Sequence, residues 1–291
     1  MSGVSSTSSS KAQLRMSESA LGVYLYCIAP PSFQPELDGL VGVDGRASVE
    51  KVSTDWLTAI VSRVPLEEFG PEPLKHNLED LNWLERAARA HDSVLAAMMS
   101  VEAVVPMRLL TIFTDESRLR DMLDRNRESL VQTLGRLRGH SEWSIKLLAD
   151  RGKLERAALD QDLQPTSTGA GPDSPGRAFF ARKQGERAIR QKARELAEAA
   201  ARETYESLRR QVADSRLLPA QHPDLSGRSG DMILNAAYLV DRGQSEAFAA
   251  TAGQLRDRYR SIGVTLEVSG PWAPYNFVDE TEETASARDD T

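Results

Sequence analysis

Cysteine is almost missing from this chain: Cys27 is the only one among 291 residues, and histidine appears four times. A lone cysteine closes no internal disulfide and builds no thiolate metal site, which fits a reducing compartment. His76, His91, His140 and His222 are scattered, and none shows the paired spacing with a glutamate that a zinc-binding helix requires. Long hydrophobic runs are also lacking. No stretch approaches the roughly 18 to 20 apolar residues of a membrane-spanning helix, and the beginning carries no hydrophobic signal segment. An excess of positive charge is absent too. With 36 Lys and Arg against 43 Asp and Glu, the net charge is −7, so the chain lacks the basic face that polyanion binding needs, and nucleic acid is not an expected partner. There is no G-x-S-x-G elbow, no Walker A loop and no G-x-G-x-x-G after a strand, so the sequence assigns no catalytic residue, no cofactor and no metal.

What is present suits a folded protein. Hydrophobic residues make up 40% and charged residues 27%, enough to bury a core, and the length favours two cores over one. Residues 1–19 are rich in serine and small polar side chains and read as a disordered tail, as does the acidic stretch 280–291. Between them we expect an α+β domain over 20–137 and a second domain over 138–279, the latter interrupted by a Pro, Gly, Ser and Thr-rich linker at about 160–176.

In the first half, Gly22 to Ala29 is short and apolar and stops at Pro30, the mark of a buried strand. Weaker strands are predicted over Ala47 to Ser53 and Trp56 to Val64. From Asn77 to Met99 the apolar positions Leu81, Leu84, Ala88, Leu95 and Met98 recur at helical spacing, with Asn77 as a candidate cap and His91 on the apolar stripe. There His91 reads as a hydrogen-bonded core histidine rather than a ligand or base. A strand from Glu102 to Met107, bent at Pro106, continues through Leu109 to Phe113. One helix follows, capped by Thr114 and apolar along Leu119, Leu123, Leu130, Leu134 and Leu137.

The second half predicts a strand over Glu142 to Leu148, a long helix to about Ala213, strands at Leu217 to Gln221 and Asp231 to Val240, a helix through Phe248, Leu255 and Tyr259, and a strand over Val264 to Val268. This β-α-β-β-α-β order is that of the ferredoxin-like split βαβ arrangement, with both helices on one face of an antiparallel sheet.

Two stretches are candidate interaction elements. On the long helix Arg187, Arg190 and Arg194 sit among alternating charges, which form either a solvated face of i, i+4 pairs or a docking surface for an acidic partner. Behind the last strand, Gly270-Pro271-Trp272-Ala273-Pro274-Tyr275-Asn276-Phe277-Val278 crowds three aromatics and two prolines together. Such a segment should be fixed against the fold, so Trp272→Ala is expected to unfold the second domain before it reports on binding.

This last segment is similar to the end of the gas vesicle protein F/L family, whose members typically close their final strand with Gly-Pro-Trp-x-Pro-Tyr-x-Phe-Val. Further blocks resemble the family in the same order. They are Tyr24-Leu25-Tyr26-Cys27-Ile28, Val105-Pro106-Met107-Arg108, Thr111-Ile112-Phe113, Glu142-Trp143-Ser144-Ile145-Lys146, Gly176-Arg177-Ala178-Phe179-Phe180-Ala181-Arg182-Lys183 and Asn235-Ala236-Ala237-Tyr238-Leu239-Val240. Leu109 and Leu110 depart from it, standing where the family commonly has an aromatic and a glycine. The resemblance implies two α+β domains, the second a modified ferredoxin fold. It also implies a cytoplasmic, non-enzymatic accessory or minor component of the gas vesicle that contacts the small hydrophobic shell protein, and other accessory proteins, and restrains shell-protein aggregation. Pro106, Arg108, Trp143, Trp272, Tyr275 and Phe277 join the three arginines as candidate structural or interaction residues. A shell subunit could be met by strand addition at a sheet edge or by helix packing in an apolar groove. Two other classes stay open: a ligand-sensing regulatory module, and a hydrolase using Arg108 with a carboxylate near His91.

Overall fold

The structure, a computed structural model, describes residues 20–99, 104–162, 175–220 and 230–278. The chain divides into two compact units, the first reaching Arg136 and the second spanning Leu137–Val278. The expected tails and most of the expected linker lie outside the described residues. At the linker's two ends, 160–162 and 175–176 are helical.

The first unit is built around β1 (Leu21–Ala29), whose residues from Val23 to Ala29 are all fully buried. An unbroken apolar strand of this kind must lie at the centre of its sheet. It does: β2 (Val49–Ser53), β3 (Thr58–Pro65), β1 and β4 (Val105–Pro106) lie in that order, and β5 (Ile112–Phe113) also pairs with β1, every pair antiparallel. Two short helices, α1 (Leu66–Phe69) and α2 (Pro71–Asn77), precede the long α3 (Leu81–Met99). Asn77 therefore ends a helix and does not cap the next one. Its carboxamide donates to the Glu68 carbonyl, and Asp80, just ahead of α3, accepts from the Asn82 amide. The buried face of α3 is Trp83, Ala87, His91, Val94, Leu95 and Met98.

The single helix expected after Phe113 is two, α4 (Glu116–Arg125) and α5 (Arg127–Leu137), broken where Asn126 turns its carboxamide back onto the Met122 carbonyl. Asp115 caps α4 in place of Thr114, accepting from the Arg118 amide, because a carboxylate at this position satisfies a free N–H and meets the positive helix end. Arg63 of β3 bridges Glu50 of β2 (2.6 Å) and Glu116 of α4 (2.7 Å), tying sheet to helix.

The second unit contains β6 (His140–Ala149), α6 (Arg151–Asp162), α7 (Pro175–Arg209), β7 (Asp214–Leu217), β8 (Asp231–Asp241), α8 (Ser245–Arg260) and β9 (Val264–Trp272). The strands lie in the order β7-β8-β6-β9, all antiparallel, so the first and third strands of the unit share the centre. This is a split βαβ layout with one added helix, α6. The weak expected strand at Leu217 to Gln221 is displaced to β7, which begins three residues earlier, and α7 ends before Ala213. Helix α6 escaped the sequence reading because only Leu154 and Ala158, one turn apart, are buried along it.

Side chains of β6 and β8 alternate between two faces except at Ile233, where the register shifts and neighbouring Ile233 and Leu234 both pack on the core. Ile145, Leu147, Ala149, Leu234, Ala236, Tyr238 and Val240 meet Ala193, Ala197, Ala200 and Leu208 of α7 and Phe248, Ala252, Leu255 and Tyr259 of α8 in one core. Glu142, Asn235, Ala237 and Leu239 point to the other face and are buried as well.

Candidate functional site

The segment after β9 explains what covers that second face. Beyond Trp272 the chain makes a 3-10 turn over Tyr275–Phe277, and Phe277 is fully buried with the Arg216 guanidinium 5.5 Å over its ring. Glu142 is 5% exposed and accepts two hydrogen bonds from Asn276, one from its amide (2.9 Å) and one from its side chain (2.6 Å). Burial raises the Glu142 carboxyl above the ordinary range, the largest effect, while the Asn276 bonds and the charge of Arg216 pull it down. A sheet face left open by the helices is thus closed by the C-terminal segment, held by one buried carboxyl. Sequence reading missed Glu142 and Asn276. The available signal was an acidic residue inside an otherwise strand-like block.

Trp272 behaves differently from expectation. It is 54% exposed, so it does not anchor the segment, and Phe277 does. The reason is register: Glu142 pairs with Trp272 but Ser144 pairs with Ser269, leaving an irregularity at Gly270-Pro271 that carries the end of the strand outward. The Gly270-Pro271 peptide is cis, and Gly270 has a φ of +139°. A Cβ there would lie 2.8 Å from the Glu142 carbonyl, so only glycine fits. Trp143, half-buried, turns to the helix side and stacks on Phe248 at 5.8 Å. Tyr275 is half-buried.

In the first unit Pro106 is buried and pairs with Cys27, whereas Arg108 is exposed. Arg108 opens a tight turn: its carbonyl accepts from the Thr111 amide (3.2 Å) and hydroxyl (2.8 Å). Leu110 in this turn has a φ of +67°, a conformation that glycine adopts at little cost. Behind it, the Tyr24 hydroxyl accepts from the Leu110 amide (3.0 Å) and lies 2.9 Å from His91 Nδ1, and His91 also bonds the Met107 backbone. His91 is 1% exposed, and burial lowers its pKa to about 4. The neutral imidazole is therefore a strut under the turn. The hydrolase reading requires Arg108 and a carboxylate near His91 to converge in a concave pocket, whereas Arg108 is exposed and His91 is enclosed.

Arg187, Arg190 and Arg194 lie on α7, the middle one half-buried and the others exposed. Arg190 and Arg194 face a cavity of about 210 Å³ in the second unit, and Arg187 does not. Among the described residues no group of three or more His, Cys, Asp or Glu side chains could hold a metal ion, and no helix is long and apolar enough to cross a membrane.

Two α+β units on antiparallel sheets define the class of protein. A solved chain has this fold: the crystal structure of gas vesicle protein GvpF from Anabaena sp. PCC7120 matches 90% of this chain and 97% of its own length with a TM-score of 0.65 at 20% identity. The family model described as gas vesicle synthesis protein GvpL/GvpF matches residues 22–279, and the chain belongs to that family. It is 35% identical to gas vesicle protein L of Streptomyces sp. (strain CB03234), over 89% of this chain and 94% of that one. It is 27% identical to gas vesicle protein F of the same organism, over 89% of this chain and all of the other. The family is described as one of gas vesicle synthesis proteins.

Proposed function

We propose that this protein is a cytoplasmic accessory or minor component of the gas vesicle that binds the small hydrophobic shell protein, together with other accessory proteins, and restrains its aggregation while a vesicle forms. The observation that carries the reading is family membership along nearly the whole described chain. The docking element we favour is the outer edge of β9. Among the described residues β9 pairs only with β6, so its other side offers free N–H and C=O groups to an incoming strand. Trp272 stands exposed at the end of that edge, a large rigid anchor of the kind that dominates protein interfaces.

Strand addition would cap the same polar edge on the client that otherwise recruits further copies and leads to uncontrolled association. Hydrogen exchange on mixing the full chain with shell protein tests this. The expected result is new protection over residues 264–272 and a loss of that protection in Trp272→Ala. Protection confined to other elements would move the interface, and none anywhere would remove direct binding from the account.

A further inference from the structure

We propose that the cavity beside α7 is a binding site for a small monocarboxylate with a short branched aliphatic chain. Four elements converge on it: the end of β6 at Ala149, the first turns of α6 at Arg151, Leu154 and Glu155, the middle of α7 and the start of β8 at Asp231 and Ile233. Its volume of about 210 Å³ is below the roughly 300–1,000 Å³ of sites for drug-sized ligands, which limits the occupant to a small molecule.

Two arginines of α7 without an acid partner among the described residues line this cavity. Several cations of the helix have acids one turn away: Arg182 and Lys183 reach Glu186, Lys192 reaches Glu195 and Arg209 reaches Glu206, whereas Arg187 and Arg202, which do not line the cavity, have none within 4.0 Å among the described residues. Arg190 and Arg194 stand one turn from each other, a like-charge pair that destabilises a helix. Among the described residues neither has an acid within 4.0 Å, although Glu186, Glu195 and Glu198 are close in sequence. An anion seated between the two guanidiniums would remove the repulsion and be held by planar, charge-assisted donors.

The remaining lining fixes the rest of the ligand. Ala193 and Ala197, one turn apart and nearly buried, are too small to fill the space facing Leu154 and Ile233, so they leave an apolar recess beneath the arginines. Arg151 is already paired with Glu155 at 3.3 Å. The helix end of α6 is already served, because the Asp150 carboxylate accepts from the Lys153 amide. Of the cationic lining side chains Arg190 and Arg194 are the two left to meet an anion, with the exposed Asp231 at the rim on β8. A carboxylate can accept from both guanidiniums while a short aliphatic tail enters the recess.

The test uses the full chain with 4-methylpentanoate and, separately, inorganic phosphate, followed by calorimetry and amide NMR shifts at low and moderate salt. We expect saturable 4-methylpentanoate binding in the millimolar range, with shifts at 149–155 and 190–197, and phosphate binding at least fivefold weaker. Arg190→Gln with Arg194→Gln should weaken binding at least tenfold and leave the melting temperature unchanged or higher. Ala193→Leu, which fills the recess and keeps both arginines, should abolish 4-methylpentanoate binding and spare the weak phosphate binding. No saturable binding, binding that survives the double variant, or phosphate binding as tight as the carboxylate would each overturn the assignment. These outcomes do not depend on shell-protein binding at β9.

Discussion

The two units each bury one titratable side chain to hold a turn, but they use opposite chemistries. In the first, His91 is neutral in its resting state, and the protein keeps it so by removing water and placing Tyr24 and the Met107 backbone beside it. In the second, Glu142 is a carboxyl lifted by burial and kept usable as an acceptor by Asn276 and Arg216. A base that must stay uncharged and an acid that serves best as an anion respond to pH in opposite directions. The units also differ in how completely they satisfy their polar atoms. Around β1 the Tyr26 hydroxyl accepts from the Val43 amide (2.7 Å) and pairs with Ser62 (2.8 Å). In the second unit Trp143 Nε1, Thr204 Oγ1 and Tyr238 Oη have no hydrogen-bond partner among the described residues.

The largest effect should come from the packing anchor of the second unit. Phe277→Ala is expected to cost about 3 to 5 kcal/mol, measured by denaturant unfolding with exchange at β6 and β8 as the local probe. Trp272→Ala should cost under about 1 kcal/mol, since its ring is more than half exposed and loses little burial. Equal losses would reverse the assignment of the anchor.

Acidity sharpens the contrast next. His91 has a folded pKa of about 4 against an ordinary 6.5, so the unfolded chain binds the proton more readily between these values. Stability of the first unit is therefore full above pH 6.5 and falls by roughly 3 kcal/mol as the pH drops toward 4. His91→Gln should flatten that slope in exchange at β1 and β3. Glu142 has the reverse sign. Its folded pKa lies above 4.5, so the folded state holds the proton longer, and the second unit loses this contribution as pH rises through that value. Slopes of the same sign in both units would break the comparison.

The smallest effect concerns the turn over His91. Leu110 occupies a left-handed conformation that costs a side chain about 1 to 2 kcal/mol. After the loss of its partly buried side chain and the entropy of a glycine, Leu110→Gly should raise the melting free energy by about 0.5 kcal/mol. A clear loss would mean that the leucine packs more than it strains.

Much of this architecture was readable from the residues. The apolar run in β1, the stripe of α3 and the β-α-β-β-α-β succession all follow from periodicity, because burial on one face imposes it locally. Short elements were not readable. Helices α1, α2 and α6 bury too few side chains to show a period, and the break at Asn126 depends on one carboxamide turning back on its own helix. The candidate residues divide in the same way. Pro106 and Phe277 are buried, Arg108 and Trp272 are exposed, and Arg187 parts from Arg190 and Arg194 at the cavity.

By itself the sequence determined the long strands and helices, which family the chain resembles, and that the aromatic tail would be bound to its domain. Tertiary structure decided which aromatic does the binding. Trp272 and Phe277 look equally apolar along the chain, yet a one-residue irregularity at Gly270-Pro271 sends one to solvent and leaves the other to close the sheet. Register is a property of two strands together, and no single strand encodes it.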